Sequence, residues 1–298
     1  MSVNRNYRIG WWLIVITIVL LFSFPFLFME NILGAKTATV EYAFALLGEI
    51  LLLIPIGLGA AYIKLTQKDE KNILAIKKVP MRLLPLSVLL IVGAQYFITY
   101  MTLPLQFVLM MVFGAETATT QMAVPTNAWE FIIAFITLCV VAPIIEELLC
   151  RGILVKILKG FGIVTVLIVT SLAFTLLHFE ARTFIQMFFV ALLLGTFRLC
   201  TGSIIPGIIM HAVNNFISLC QITFFGENFG FLTVVCTVMA FLFVPIMYIT
   251  FVKNKKYLTP EDILYTRDKP VFSLGACICI GLFILYNLLM ILERVINL

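Results

Sequence analysis

The sequence predicts an all-α fold, a polytopic membrane helical bundle of eight to nine transmembrane helices. Three observations predict it. Of 298 residues, 62% are hydrophobic and 12% charged, where a soluble domain is nearer half and a quarter. Mean hydropathy is +1.13. The apolar residues also fall into runs close to the roughly 20 residues that a helical span requires. A soluble enzyme carrying one anchor is thereby excluded.

Nine runs qualify, at roughly 10–29, 39–63, 83–113, 128–149, 162–178, 183–200, 204–224, 229–252 and 271–292. The first follows Arg5 and Arg8, has full span length and lacks a small-residue cleavage site, so it reads as a retained helix rather than a signal peptide. The second carries Glu49. The third contains Gln95, Pro85 and Pro104 and is long for one upright helix. The fourth leads into Glu146-Glu147-Leu148-Leu149-Cys150-Arg151. The fifth and sixth are short and close together, which suits a tight helical hairpin. The seventh follows Thr201-Gly202-Ser203, and the last two carry almost no polar groups. Eight spans with one interfacial helix fit the pattern nearly as well.

Basic residues mark alternate loops: Arg5 and Arg8; Lys64, Lys68, Lys71, Lys77, Lys78 and Arg82; Arg151, Lys156 and Lys159; Arg198; then Lys253, Lys255, Lys256, Arg267 and Lys269. The alternate loops are nearly free of them: 114–127 carries only Glu116 and 225–230 only Glu227. The positive-inside rule places the N-terminus in the cytoplasm of a multi-pass cell-membrane protein and, with nine spans, the C-terminus outside. The net charge of +5 therefore reads as a topology signal, not as a nucleic-acid surface. The seven cysteines are scattered, form no disulfide framework, and behave as small hydrophobes.

No soluble domain and no internal repeat is present, which argues against a transporter built on inverted halves. Chemistry-bearing residues concentrate between 128 and 222. The chain divides into accessory N-terminal helices (1–127), a catalytic core of four membrane helices (128–222) and accessory C-terminal helices (223–298).

Ionisable groups at membrane depth are costly, so their presence marks function. Glu147 and Arg151 stand four residues apart and can pair along one helix face; Glu146 points about 100° away and is free to face a cavity. Pro143 predicts a kink one turn earlier that frees backbone carbonyls. The apolar run resumes after Arg151, so this helix is expected to continue to Lys156 or Lys159. Phe174 shares a face with His178, and His211 with Asn215; these are the chain's two histidines. An imidazole and a carboxamide on one face can both donate to a single oxygen, as an oxyanion hole requires.

Other chemistries find little support. There is no H-E-x-x-H motif. Asp69, Asp262 and Asp268, the only aspartates, lie in loops, which excludes an embedded aspartyl dyad. Ser203 lacks a G-x-S-x-G setting and reads as a helix N-cap.

Glu146-Glu147-x-x-x-Arg151, Phe174-x-x-x-His178 and His211-x-x-x-Asn215, in this order on successive hydrophobic segments, resemble the motifs of the CPBP (Abi) family. These are glutamate intramembrane proteases related to type II CAAX prenyl endopeptidases. Leu194-Gly195 and Thr201-Gly202-Ser203 resemble that family's lead-in to its last motif. The resemblance covers about 128–220. It implies that Glu146, with His178, activates a water that attacks a peptide carbonyl, that His211 and Asn215 stabilise the oxyanion, and that Glu147 and Arg151, with Phe174, support the site. It implies a peptide or membrane-protein substrate within the lipid bilayer, and no cofactor. Two His and two Glu could also supply four zinc ligands, a lesser alternative. A non-catalytic scaffold or bacteriocin-immunity protein with a vestigial site is the competing function; a proton-coupled transporter is a third. One expectation sits awkwardly: counted from Gly162, His178 falls near the outer end of its span, whereas Glu146 lies nearer the cytoplasmic side.

Overall fold

The computed structural model describes residues 3–32, 38–68, 70–113, 123–179, 183–225, 230–250 and 273–296. Asp69, Asp262 and Asp268, the loop acids Glu116 and Glu227, and the basic cluster from Lys253 to Lys269 lie outside the described residues. Among those described, nine helices follow one another and no strand forms. They are α1 (Val3–Ile32), α2 (Ala38–Thr66), α3 (Leu83–Phe113), α4 (Ala128–Ile157), α5 (Ile163–Leu177), α6 (Phe184–Thr201), α7 (Ile205–Cys220), α8 (Gly230–Tyr248) and α9 (Leu274–Ile296).

Five are long and apolar enough to cross a membrane: α2, the Leu83–Pro104 part of α3, α4, α6, and α7 with its continuation to Phe224. Shorter apolar helices, α5 among them, complete an all-α polytopic bundle. Local sequence explains the boundaries. At the start of α4 the Asn127 side chain accepts the Trp129 and Glu130 N–H groups, both at 3.1 Å. Glu130 reaches back to the Thr126 N–H at 2.8 Å. The open donors of the first turn are thus satisfied from the side chains. At the other end of the core, Gly202 takes a left-handed φ of 67° and ends α6, a conformation that costs glycine nothing.

Several expectations are refined. The run at 83–113 is one helix despite Pro104. The second run is a single span broken at Leu52, whose N–H bonds Glu49 O at 3.0 Å in a tighter turn. α4 continues to Ile157. α7 begins at Ile205 with Ile204 as its N-cap. Ser203 instead accepts the Ile205 N–H at 3.3 Å and donates to the Lys77 carbonyl at 2.7 Å, so it caps and ties down a loop at once.

α4 lies at the centre, packed by α2, α5 and α7. Glycine sets the closest approaches: a Cβ at Gly93 of α3 would stand 2.9 Å from the Met239 carbonyl of α8. Without a strong hydrophobic drive between helices in lipid, such close backbone contact is what fastens them. The polar segment 67–82 is held down as well. Ile204 N–H donates to Ala75 O at 3.0 Å, and the Gln67 side chain donates to Lys156 O at 3.0 Å. Lys156 and Lys159 reach Glu70 at 3.0 and 3.4 Å. Burial alone would raise the Glu70 carboxyl, but hydrogen bonds and positive charge from these two lysines outweigh it and hold it below the ordinary carboxylate value.

Candidate active site

The middle of α4 is not a regular helix. Residues Ile136–Val141 and Leu148–Leu154 form wider, π-type turns, with regular helix at Ala142–Glu147 between them. Such turns carry i→i+5 hydrogen bonds and re-aim the side chains that follow. Ala142 N–H bonds Thr137 O across five residues. The next donor in that register belongs to residue 143, and proline has none. The Leu138 carbonyl is therefore left without a main-chain partner from either Ala142 or Pro143. Asn215 of α7 supplies one: its Nδ2 donates to Leu138 O at 2.8 Å. The carbonyl freed by Pro143 thus fastens α7 to α4 a short distance from Glu146.

Glu146 meets both histidines. His178 Nε2 and His211 Nε2 each stand 3.9 Å from the same oxygen, Glu146 Oε2. That oxygen is buried and has no hydrogen-bond partner. His178 Nδ1 lies 2.9 Å from Phe174 O. A carbonyl only accepts, so the hydrogen-bond network assigns the proton to Nδ1 and presents the Nε2 lone pair toward Glu146. His211 lies between two carboxylates, with Nδ1 3.5 Å from Glu147 Oε1.

Behind these residues is a fully buried support. Arg151 Nη1 donates to Glu147 Oε1 at 2.7 Å, and both side chains are wholly excluded from solvent. The pair expected from the i,i+4 spacing is therefore interior, not a surface pair at a helix end. Arg151 Nη2 donates to Ala191 O at 3.0 Å, and Arg198 Nε donates to Arg151 O at 2.9 Å. The Arg151 guanidinium lies 4.4 Å above the Phe174 ring. Phe174 also contacts both imidazoles, at centroid distances of 4.7 Å to His178 and 5.4 Å to His211. Its ring is the common wall of the cluster.

The depth of His178 follows from helix length. At 1.5 Å per residue α5, with 15 residues, is about 22 Å long, short of a hydrocarbon core of about 30 Å. Glu146 stands about 16 Å from the end of α4 at Ile157 by the same measure. The short α5 thus ends close to the level of Glu146 rather than at the far surface.

Three site residues carry no motif signal that singled them out. Gly207 lies against Glu147: a Cβ there would stand 2.8 Å from Glu147 Oε2. Arg198 falls among the loop charges in the sequence, yet it is buried with 1% exposure. Glu49 of α2 lies near Glu146, and its Oε2 is buried without a partner. A glutamate within an apolar run was the available signal for the last. Among the described residues, no group of three His, Cys, Asp or Glu is placed to hold a metal ion.

Comparison with curated proteins and with solved structures returned no match. Residues 128–217 match the family described as Rce1-like, type II CAAX prenyl endopeptidase Rce1-like. That segment contains α4 to α7 nearly entire, and with them Glu146, Glu147, Arg151, Phe174, His178, His211 and Asn215. Through it the chain is related to the Rce1-like type II CAAX prenyl endopeptidases, and so to the CPBP family.

Proposed function

We propose that this protein is an intramembrane endopeptidase that hydrolyses peptide bonds with a water activated by Glu146 and His178. The observation that carries the reading is the convergence of both Nε2 atoms, each at 3.9 Å, on one unpartnered oxygen of Glu146. A separation above 3.5 Å suits a bridging water better than a direct bond. A water there donates one O–H to Glu146 Oε2 and the other to the Nε2 lone pair of His178, which leaves its own lone pair directed at a substrate carbonyl carbon.

Attack forms the C–O bond and moves the carbonyl π pair onto oxygen, while a water proton passes to Glu146. His211, with Nε2 protonated, and the second N–H of Asn215 donate to that oxyanion. Collapse breaks the C–N bond, and the leaving amine takes the proton that Glu146 holds. The buried Glu147–Arg151 pair keeps Glu146 and His211 in register. The substrate is a peptide or membrane protein cut within the bilayer. The chain lies in the cell membrane with its N-terminus cytoplasmic, as its basic loops suggest.

Peptidomics of membranes carrying either the natural protein or Glu146→Gln at equal abundance tests this reading. Peptides that appear only with Glu146 intact support it and expose the substrate. Identical peptide sets, with the biological effect retained in the variant, overturn it in favour of a non-catalytic scaffold.

A further inference from the structure

Phe179, the residue after His178, has φ of +52°. Left-handed backbone at the end of a helix is ordinarily a glycine position. A phenylalanine there is strained and persists only where its surroundings hold it. Its surroundings come from α9, more than one hundred residues away. Asn287 Nδ2 donates to Phe179 O at 3.2 Å and to Phe283 O at 2.9 Å. The Phe179 ring packs on Phe283 and Tyr286, at centroid distances of 6.1 and 5.6 Å.

The turn has a consequence for the imidazole. As α5 closes, His178 N–H bonds Thr175 O at 3.2 Å and Phe179 N–H bonds Leu176 O at 3.3 Å. These are three-residue bonds, so the Phe174 carbonyl loses the main-chain N–H that a continuing α-helix would bring to it from residue 178. The His178 side chain takes that carbonyl through Nδ1 instead. Held in a left-handed turn, Phe179 keeps the carbonyl open to the ring.

We propose that Asn287 is a positioning residue for His178: by anchoring the Phe179 carbonyl it preserves the turn that fixes the Nδ1–H tautomer and directs the Nε2 lone pair at Glu146. The C-terminal helix then belongs to the working site although it lies outside the family-matched segment 128–217. The effect on turnover rests on the protease reading above. The effect on the tautomer does not.

The chain has two histidines, so selective ¹⁵N-histidine labelling of the full-length protein gives two imidazoles, and His211→Ala identifies His178. In the natural protein His178 is expected to show a protonated Nδ1 and a lone-pair Nε2. In Asn287→Leu this gives way to a mixture with the Nε2–H form. Phe179→Gly in the Asn287→Leu background is expected to restore the Nδ1–H form, because glycine needs no anchor at that φ. Where a Glu146-dependent cleavage exists, Asn287→Leu is expected to lower kcat about 10- to 100-fold with KM little changed, the scale of a sub-ångström to 1 Å misplacement. A His178 tautomer unchanged in folded Asn287→Leu overturns the proposal. So does a changed tautomer that Phe179→Gly leaves uncorrected. A shifted tautomer in a protein with no Glu146-dependent peptides keeps the positioning role and removes the protease instead.

Discussion

Asn215 donates its side-chain N–H to the Leu138 carbonyl at 2.8 Å, the group that Pro143 leaves without a helical partner. The bond makes the first prediction. An unpaired carbonyl of this kind costs about 1–3 kcal/mol, so Asn215→Ala is expected to lower stability by that order in the natural background. Pro143→Ala returns a main-chain N–H to the turn, and in that background Asn215→Ala should cost much less. Unfolding midpoints in detergent for the two single variants and the double variant give the coupling. Equal costs in both backgrounds would show that the two residues act separately.

The same pair marks how far the sequence can be read. Helical spacing set Glu147 against Arg151, separated Glu146 from both, and put Asn215 on the His211 face, because these relations lie within one or two turns. Pro143 announced a freed carbonyl. Its recipient was not legible, since the Leu138–Asn215 bond joins positions 77 residues apart. The Phe179–Asn287 bond spans 108. The π turns that aim Glu146 carry no composition of their own. Gly207 and Arg198 looked ordinary because their roles depend on which helix lies opposite. Nine apolar runs announced the nine helices found among the described residues; the depth of His178 depended on where α5 stops, and a run of apolar residues does not contain that information.

Gly207 faces a carboxylate that has nowhere to go. A Cβ would stand 2.8 Å from Glu147 Oε2, and Glu147 is already fixed by Arg151 at 2.7 Å. Side-chain tips usually swing aside, but this one is fully buried. Gly207→Ala is therefore expected to destabilise by about 1–3 kcal/mol, as overpacking does, and to shift His211, which sits four residues on. Unfolding midpoints and the His211 imidazole resonance check this. A variant as stable as the natural protein with an unmoved resonance would show that the contact is slack.

Glu70 ties the segment at 67–82 to α4 through Lys156 and Lys159. Its folded carboxyl titrates below its unfolded value near 4.5. The contribution to stability is therefore complete above the unfolded value and is lost as pH falls through the lower folded value. The natural protein is expected to lose stability over that acid window more steeply than Glu70→Gln, which has no such proton to bind. Lys159 is 43% exposed, so solvent screens its share and the Lys156 pair dominates. Unfolding midpoints measured across the window should converge at its acid end; parallel curves would remove Glu70 from the linkage.

If Glu146 and His178 activate the water by themselves, as proposed above, cleavage is expected to be insensitive to metal chelators. Glu146-dependent peptides should form equally with and without a strong zinc chelator. Their loss on chelation and return with added zinc would replace the water mechanism with metal-assisted hydrolysis.

Adjacent glutamates make the last and sharpest contrast. Glu146 Oε2 faces the two imidazoles with no partner, so Glu146→Gln removes no bond that holds the fold and should leave the unfolding midpoint nearly unchanged while peptide release stops. Glu147 is bound to Arg151 with neither group exposed. Removing its charge leaves a buried guanidinium without its counter-ion, which costs about 3–5 kcal/mol. Arg151→Lys should not rescue the pair's role, since Arg151 also donates to Ala191 O and stacks on Phe174, and a lysine ammonium cannot reproduce that planar fork. Glu147→Gln and Arg151→Lys are thus expected to lose stability and activity together, whereas Glu146→Gln loses activity alone. Measuring midpoint and peptide release on the same preparations separates the two roles; a Glu146→Gln protein that unfolds as readily as Glu147→Gln would mean that both carboxylates serve the fold.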